Sequence, residues 1–88
     1  MKYTIDRVRR MERYFDTLQQ IWHTNPQLFY TEELVQDMLR TLIDYYENGQ
    51  WMEDYQLDEQ GGLPANLKRG ILSEDAVYDF LCEIRQSV

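Results

Sequence analysis

The side chains that most often carry chemistry are thinly supplied in this chain: His23 is its only histidine and Cys82 its only cysteine. A nucleophilic thiol needs a base within hydrogen-bond reach and a lowered pKa, yet the acids Asp79 and Glu83 lie close to Cys82 and oppose thiolate formation. Cys82 therefore reads as a structural thiol. A zinc site would have to complete His23 and Cys82, far apart in sequence, with two carboxylates. The acids Glu53, Asp54, Asp58 and Glu59 invite a calcium reading, but an EF-hand loop needs ligands at alternate positions, a central glycine and a terminal glutamate, and Tyr55 and Leu57 stand where ligands belong. No carboxylate pair sits in an otherwise apolar helical stripe, where burial would split the two pKa values for acid and base roles. His23 is placed to meet the last carbonyls of its helix. The expectation is a protein that is not an enzyme, with no metal and no cofactor.

What remains is recognition chemistry. Trp51 and Tyr55 lie one helical turn apart among those acids and upstream of the basic pair Lys68 and Arg69. Either the aromatics fold back as a lid, with Lys68 or Arg69 answering the acids, or they form an exposed aromatic and acidic patch. At 100° per residue, Tyr78 and Cys82 fall opposite Val77, Phe80, Leu81 and Ile84, beside Asp75 and Arg85. That outer face is not purely polar and calls for a cover, for which the connecting segment is preferred over a second molecule. The candidate protein-binding residues are thus Trp51, Asp54, Tyr55, Asp58 and Tyr78.

These residues must be positioned by helices. Val8, Met11, Phe15, Leu18 and Trp22 recur at steps of three and four, which predicts a helix from about Thr4, acting as its cap, to Thr24, since Asn25 precedes Pro26. Thr31 followed by Glu32 and Glu33 signals a second start, and Leu34, Val35, Met38, Leu39, Leu42, Ile43 and Tyr46 give it a broad stripe suited to the centre of a bundle, ending at Asn48-Gly49. Ser73, Glu74 and Asp75 open a third helix that buries Ala76, Val77, Phe80, Leu81 and Ile84. The fold class is all-α: three principal helices, at about residues 4–24, 31–48 and 73–86, in a small bundle with an ordered connector containing short helical turns.

The connector is also where the sequence becomes recognisable. Tyr45-Tyr46, Gly49, Trp51, Glu53-Asp54-Tyr55, Asp58, Leu63-Pro64, Leu67-Lys68-Arg69-Gly70 and Leu72-Ser73-Glu74-Asp75 stand in an order that resembles a family of small bacterial proteins, the domain of unknown function numbered 4298. The resemblance runs from Tyr45 to Leu81. It implies a compact helical protein of bacterial or phage origin and carries no activity and no catalytic residues with it.

Composition bounds the rest. A chain of 88 residues has room for one core, so residues 1–88 are read as a single helical domain. At 43 % hydrophobic and 14 % aromatic residues it is too apolar to be disordered despite a net charge of −7. The single cysteine suits a reducing compartment, the charged N-terminal stretch offers no leader-like apolar core, and no run approaches the roughly 18 apolar residues of a membrane span. The expected setting is cytoplasmic, with no membrane contact, and the modest core leaves room for a homodimer.

Charge is distributed unevenly. Residues 1–24 hold five basic and three acidic groups, whereas residues 31–62 hold one basic and nine acidic. Lys2, Arg9, Arg10 and Arg13 share one ridge of the first helix, interrupted by Asp6, and read as a solvated face or as a complement to the acidic segments. The overall negative charge argues against direct nucleic-acid binding. The leading functional expectation is a protein-interaction module or regulatory subunit with an unknown protein partner. Behind it stand an acidic inhibitor or nucleic-acid mimic acting on a basic protein, and, last, an enzyme or small-ligand carrier.

Overall fold

The computed structural model describes residues 2–86. Helix α1 spans Lys2–Thr24, α2 Leu28–Thr31, α3 Glu33–Glu47, α4 Gln50–Glu59 and α5 Ala76–Gln86, with a 3-10 turn at Gly70–Leu72. The three expected helices are present. The structure adds α2 and makes most of the connector's first half a helix, α4, rather than isolated turns.

The apolar stripe of α1 is buried as its spacing dictates, through Val8, Met11, Phe15 and Leu18. The helix begins at Lys2, so Thr4 lies inside it and caps nothing. It stops where Pro26 requires, and Pro26 then opens the single turn of α2, its carbonyl accepting from Phe29 N at 3.1 Å. Phe29 is buried and meets Trp22 edge-on, with ring centroids 5.3 Å apart. A four-residue helix has no periodicity; Phe29, with Leu28 packed on the core and Gln36 Nε2 donating to the Phe29 carbonyl at 3.3 Å, anchors it.

Helix α3 starts two residues after the expected cap. Glu32, extended at φ −107° and ψ 117°, stands at the cap position, while the Thr31 hydroxyl donates back to Gln27 O at 3.3 Å. The end falls at Asn48-Gly49 as expected, with Gly49 taking the left-handed conformation and Asn48 Oδ1 accepting from Gln50 N at 3.0 Å to begin α4. Two residues thus separate α3 from α4.

Helix α4 lacks a clean apolar stripe because its two buried side chains are Trp51 and the carboxylate Asp54. Its end is sharply made. Gly61 at φ 77° donates to Asp58 O at 3.0 Å and Gly62 N donates to Leu57 O at 2.9 Å, the paired bonds of a Schellman motif, in which the left-handed position favours glycine. The chain then buries Leu63, Leu67, Ile71 and Leu72. Ser73 does not cap α5: it is extended, its N–H donates to Gly70 O at 3.1 Å, and the first turn closes from Asp79 N to Asp75 O at 2.8 Å. Val77, Phe80, Leu81 and Ile84 form the buried face of α5 as their spacing requires.

The described residues form a body of 38 × 21 × 20 Å, whose long dimension is close to the roughly 34 Å length of the 23-residue α1. Helix α1 reaches every other element. It packs on α3 and on the 3-10 turn. It meets α2 through Trp22 and Phe29, α4 through Arg7 and Asp54, and α5 through Phe15 and Phe80, whose centroids lie 5.6 Å apart. Helix α3 packs on α1, α2 and α4 and pairs with α5 through Glu47 and Arg85, so its broad stripe does mark a central helix, a place it shares with α1. Among the described residues no helix is long and apolar enough to cross a membrane.

Candidate functional site

Three polar clusters, two of them built on the buried carboxylates Asp54 and Glu12, look like chemistry and hold the fold together. The first joins α1, α3 and α4. Asp54, 1 % exposed, accepts from Arg7 Nε at 3.0 Å and from the Tyr45 hydroxyl at 2.7 Å, and its other oxygen pairs with Arg7 NH2. The hydrogen bond to Asp54 raises the Arg7 pKa further above its ordinary range. Burial, reinforced by the bond to Asp54, pushes the Tyr45 phenol strongly upward and keeps it neutral. Both Asp54 oxygens are thus engaged within the cluster, which ties α1, α3 and α4 together.

The second grips one residue from both sides. Glu12, 7 % exposed on the inner side of α1, accepts from Gly70 N at 3.1 Å and from Ile71 N at 2.6 Å. Trp51 Nε1 donates to the Ile71 carbonyl at 2.7 Å. The third ties the connector to α4. Arg69 donates to Pro64 O at 2.7 Å and Ala65 O at 3.3 Å, and its Nε stands 3.1 Å from Asp58 Oδ1. That Nε makes no aligned hydrogen bond, so its contact with Asp58 is Coulombic.

The five residues expected to bind a partner therefore separate. Trp51 and Asp54 are buried and committed to Ile71, Arg7 and Tyr45, so neither presents a side chain to a second molecule. Asp58 is largely covered and faces Arg69. Of the two aromatics expected to form a lid, Trp51 is folded in, and Arg69 answers one of the acids, Asp58. Tyr55 is half-buried, its ring stacked on Trp51 at 5.0 Å and 13°. Tyr78 stands 57 % exposed on the outer face of α5. Cys82, on the same outer face, is half-buried, so that face is only partly covered, and α4 packs on α3.

What these positions do form is a partly exposed aromatic run. Tyr46 at the end of α3 lies 5.2 Å from Trp51, which carries Tyr55 on its other side. On α5 the Cys82 thiol, one turn along the helix, raises the Tyr78 pKa, with a smaller contribution from Tyr46. Acids border the run: a hydrogen bond to Glu59 raises the Tyr55 pKa, with smaller contributions from Glu74 and Asp75. The sequence hides Tyr46 as a member of this surface, because its spacing places it in the apolar stripe of α3. Glu12 and Arg7 were equally hidden, as single charges among many on α1.

His23 is exposed and lines a cleft of about 450 Å³ with Trp22, Pro26, Tyr30 and Glu83. Among the described residues no group of three or more His, Cys, Asp or Glu side chains is placed to hold a metal ion.

Fold and contacts together define a small all-helical bundle whose interior polar groups clamp its connector to its first helix. The chain belongs to the family described as Domain of unknown function (DUF4298), whose model matches residues 8–88, a span that takes in α1 as well as the connector. No curated protein and no solved structure matches it.

Proposed function

We propose that the chain is a non-enzymatic protein-interaction module of the bacterial cytoplasm, a small adaptor or regulatory subunit that receives a cationic segment of a partner on the surface formed by Tyr46, Tyr55 and Tyr78. The observations that carry this reading are the 57 % exposure of Tyr78 and the ring contacts that join the partly exposed Tyr46 and Tyr55 through Trp51, with Glu59, Glu74 and Asp75 acting on the Tyr55 phenol. Tyrosine rings supply rigid contact area at low entropic cost, and a lysine or arginine over an exposed ring gains about 0.5–1 kcal/mol, with the acids adding long-range attraction.

The inhibitor or nucleic-acid-mimic reading has less support. Asp37, Glu47, Asp54 and Asp58 are each paired with an arginine of the same chain, so the acidic segment is not a uniform strip of free charge.

The test is capture of partners from the native host at moderate salt, with cross-links mapped on the chain, for the wild type and for Tyr55→Ala/Tyr78→Ala. The expected result is a partner whose cross-links fall on α5 and the end of α3 and which the double variant loses. Retention of every captured protein by the double variant would sink the reading.

A further inference from the structure

The nine lysines and arginines divide into two groups. Arg7, Arg40, Arg69 and Arg85 each stand in an ion pair with an acid of the same chain. The other five, Lys2, Arg9, Arg10, Arg13 and Lys68, are all exposed, and none makes an ion pair among the described residues. In a chain of net charge −7, with sixteen acids available, the unpaired cations would be expected to scatter. Instead four of them share the outer ridge of α1. Lys68, brought from more than fifty residues away by the Leu67–Lys68 stretch, lines the same cleft as Arg9 and Arg13.

Two concavities follow the ridge. One, of about 320 Å³, lies between Arg9, Arg13, Asp16, Asn66 and Lys68. The other, of about 620 Å³, is bordered by Tyr3, Asp6, Arg9, Arg10 and Arg13. Arg9 and Arg13 are common to both. Tyr3, 91 % exposed, adds a ring at the N-terminal end. From Lys2 to Arg13 the ridge runs roughly 17 Å along the helix axis.

We infer that this face is a second interaction surface, which binds an acidic segment of a partner protein. Guanidinium forks without internal partners are suited to bidentate pairing with carboxylates. A phosphate backbone fits less well, because Asp6 lies among the arginines and Asp16 borders the cleft they share with Lys68. A nucleic-acid strand, with negative charge at every step, meets both acids. A protein segment can set a neutral or basic residue opposite each. The surface is independent of the tyrosine face: Phe15 and Phe80 join α1 to α5 through the core, and the ridge and Tyr78 each lie on the side of their helix turned away from that contact.

The test is fluorescence anisotropy with three probes: a labelled acidic amphipathic peptide of about 16 residues, a single-stranded oligonucleotide of matched charge, and vesicles containing anionic lipid. The acidic peptide is expected to bind most tightly, to weaken as salt rises, and to lose at least tenfold in affinity with Arg9→Glu/Arg13→Glu. Arg40→Glu/Arg85→Glu makes the same change in net charge and is expected to leave binding within about twofold. Arg9→Gln/Arg13→Gln, checked by circular dichroism, serves in place of the charge reversal should that variant misfold, with the same expected loss. The inference is overturned by failure of the peptide to bind, by equal losses in the ridge and control variants, or by tighter binding of the oligonucleotide or the vesicles.

Discussion

Trp51 and Ile71 are joined by a hydrogen bond of 2.7 Å from the indole Nε1 to the main-chain carbonyl, which fixes the connector's far end against α4 across twenty residues of sequence. Trp51 is 5 % exposed, so the bond is shielded from water and the ring also fills space in the core. Trp51→Phe keeps most of the ring and removes the donor, and about 1–2 kcal/mol of stability should be lost in urea unfolding. Trp51→Ala should cost about 3–5 kcal/mol, since it opens a cavity as well. Equal losses for the two would show that packing is irrelevant to the Trp51 contribution.

Glu12 holds the other side of the same residue. Glu12→Ala leaves the Gly70 and Ile71 amides without their acceptors, at about 1–3 kcal/mol, whereas Glu12→Gln keeps one oxygen and should cost less. Gly70→Ala acts on the same contact, because its Cβ would lie 2.9 Å from Glu12 Oε1. A double-mutant cycle should therefore show strong non-additivity between Glu12→Ala and Gly70→Ala. Additive losses would mean that the two positions do not communicate.

The Arg7–Asp54–Tyr45 cluster should reveal itself in the alkaline limb of stability. Tyr45 has its pKa raised in the folded state above the ordinary 10.0, so below that value the phenol is neutral in both states and the contribution is intact. Above it the unfolded chain releases a proton that the folded chain retains, and stability falls as pH rises. Tyr45→Phe should lose about 1 kcal/mol at neutral pH yet show a shallower decline above about pH 10. Parallel decline in both proteins would remove Tyr45 as the cause.

Removing Asp54 is the harsher change. Asp54→Ala leaves the Arg7 guanidinium and the Tyr45 hydroxyl without their acceptor, and about 3 kcal/mol should be lost, at the low end for a broken buried pair because Arg7 retains some contact with water. Leu in place of Asp54 together with Met in place of Arg7 and Phe in place of Tyr45 should recover much of that loss, since an apolar set of similar volume carries no desolvation penalty. Chemical denaturation of the three proteins decides it.

At the tyrosine face the expectation runs the other way. Tyr78→Ala, at an exposed position, should change stability by less than about 0.5 kcal/mol while weakening partner capture. Tyr55→Ala should cost more, about 1 kcal/mol, because its ring covers Trp51. A Tyr78 variant that unfolds readily would place that side chain in the structural framework instead.

The three long helices were legible because α1, α3 and α5 each bury an apolar stripe at helical spacing, and Pro26 and Asn48-Gly49 punctuate them in ways that local sterics enforce. Helix α4 was not legible as one element, since the carboxylate of Asp54 occupies its buried face where a periodic pattern would call for an apolar residue. The caps at Thr4, Thr31 and Ser73 were misplaced for a related reason: a cap signal is a local preference of a few tenths to about 2 kcal/mol, and tertiary contacts move a helix start by a turn at comparable cost.

The sequence by itself therefore determined an all-helical chain, its main apolar faces, its family and the uneven spread of its charge, because each depends on residue type and short-range spacing. Only the tertiary structure decided which charges are spent and which are free. Arg7 and Arg9 are indistinguishable in a list of residues, two positions apart on one helix. A rotation of 200° turns Arg7 toward Asp54 and leaves Arg9 facing water, so one serves the fold and the other stays solvated.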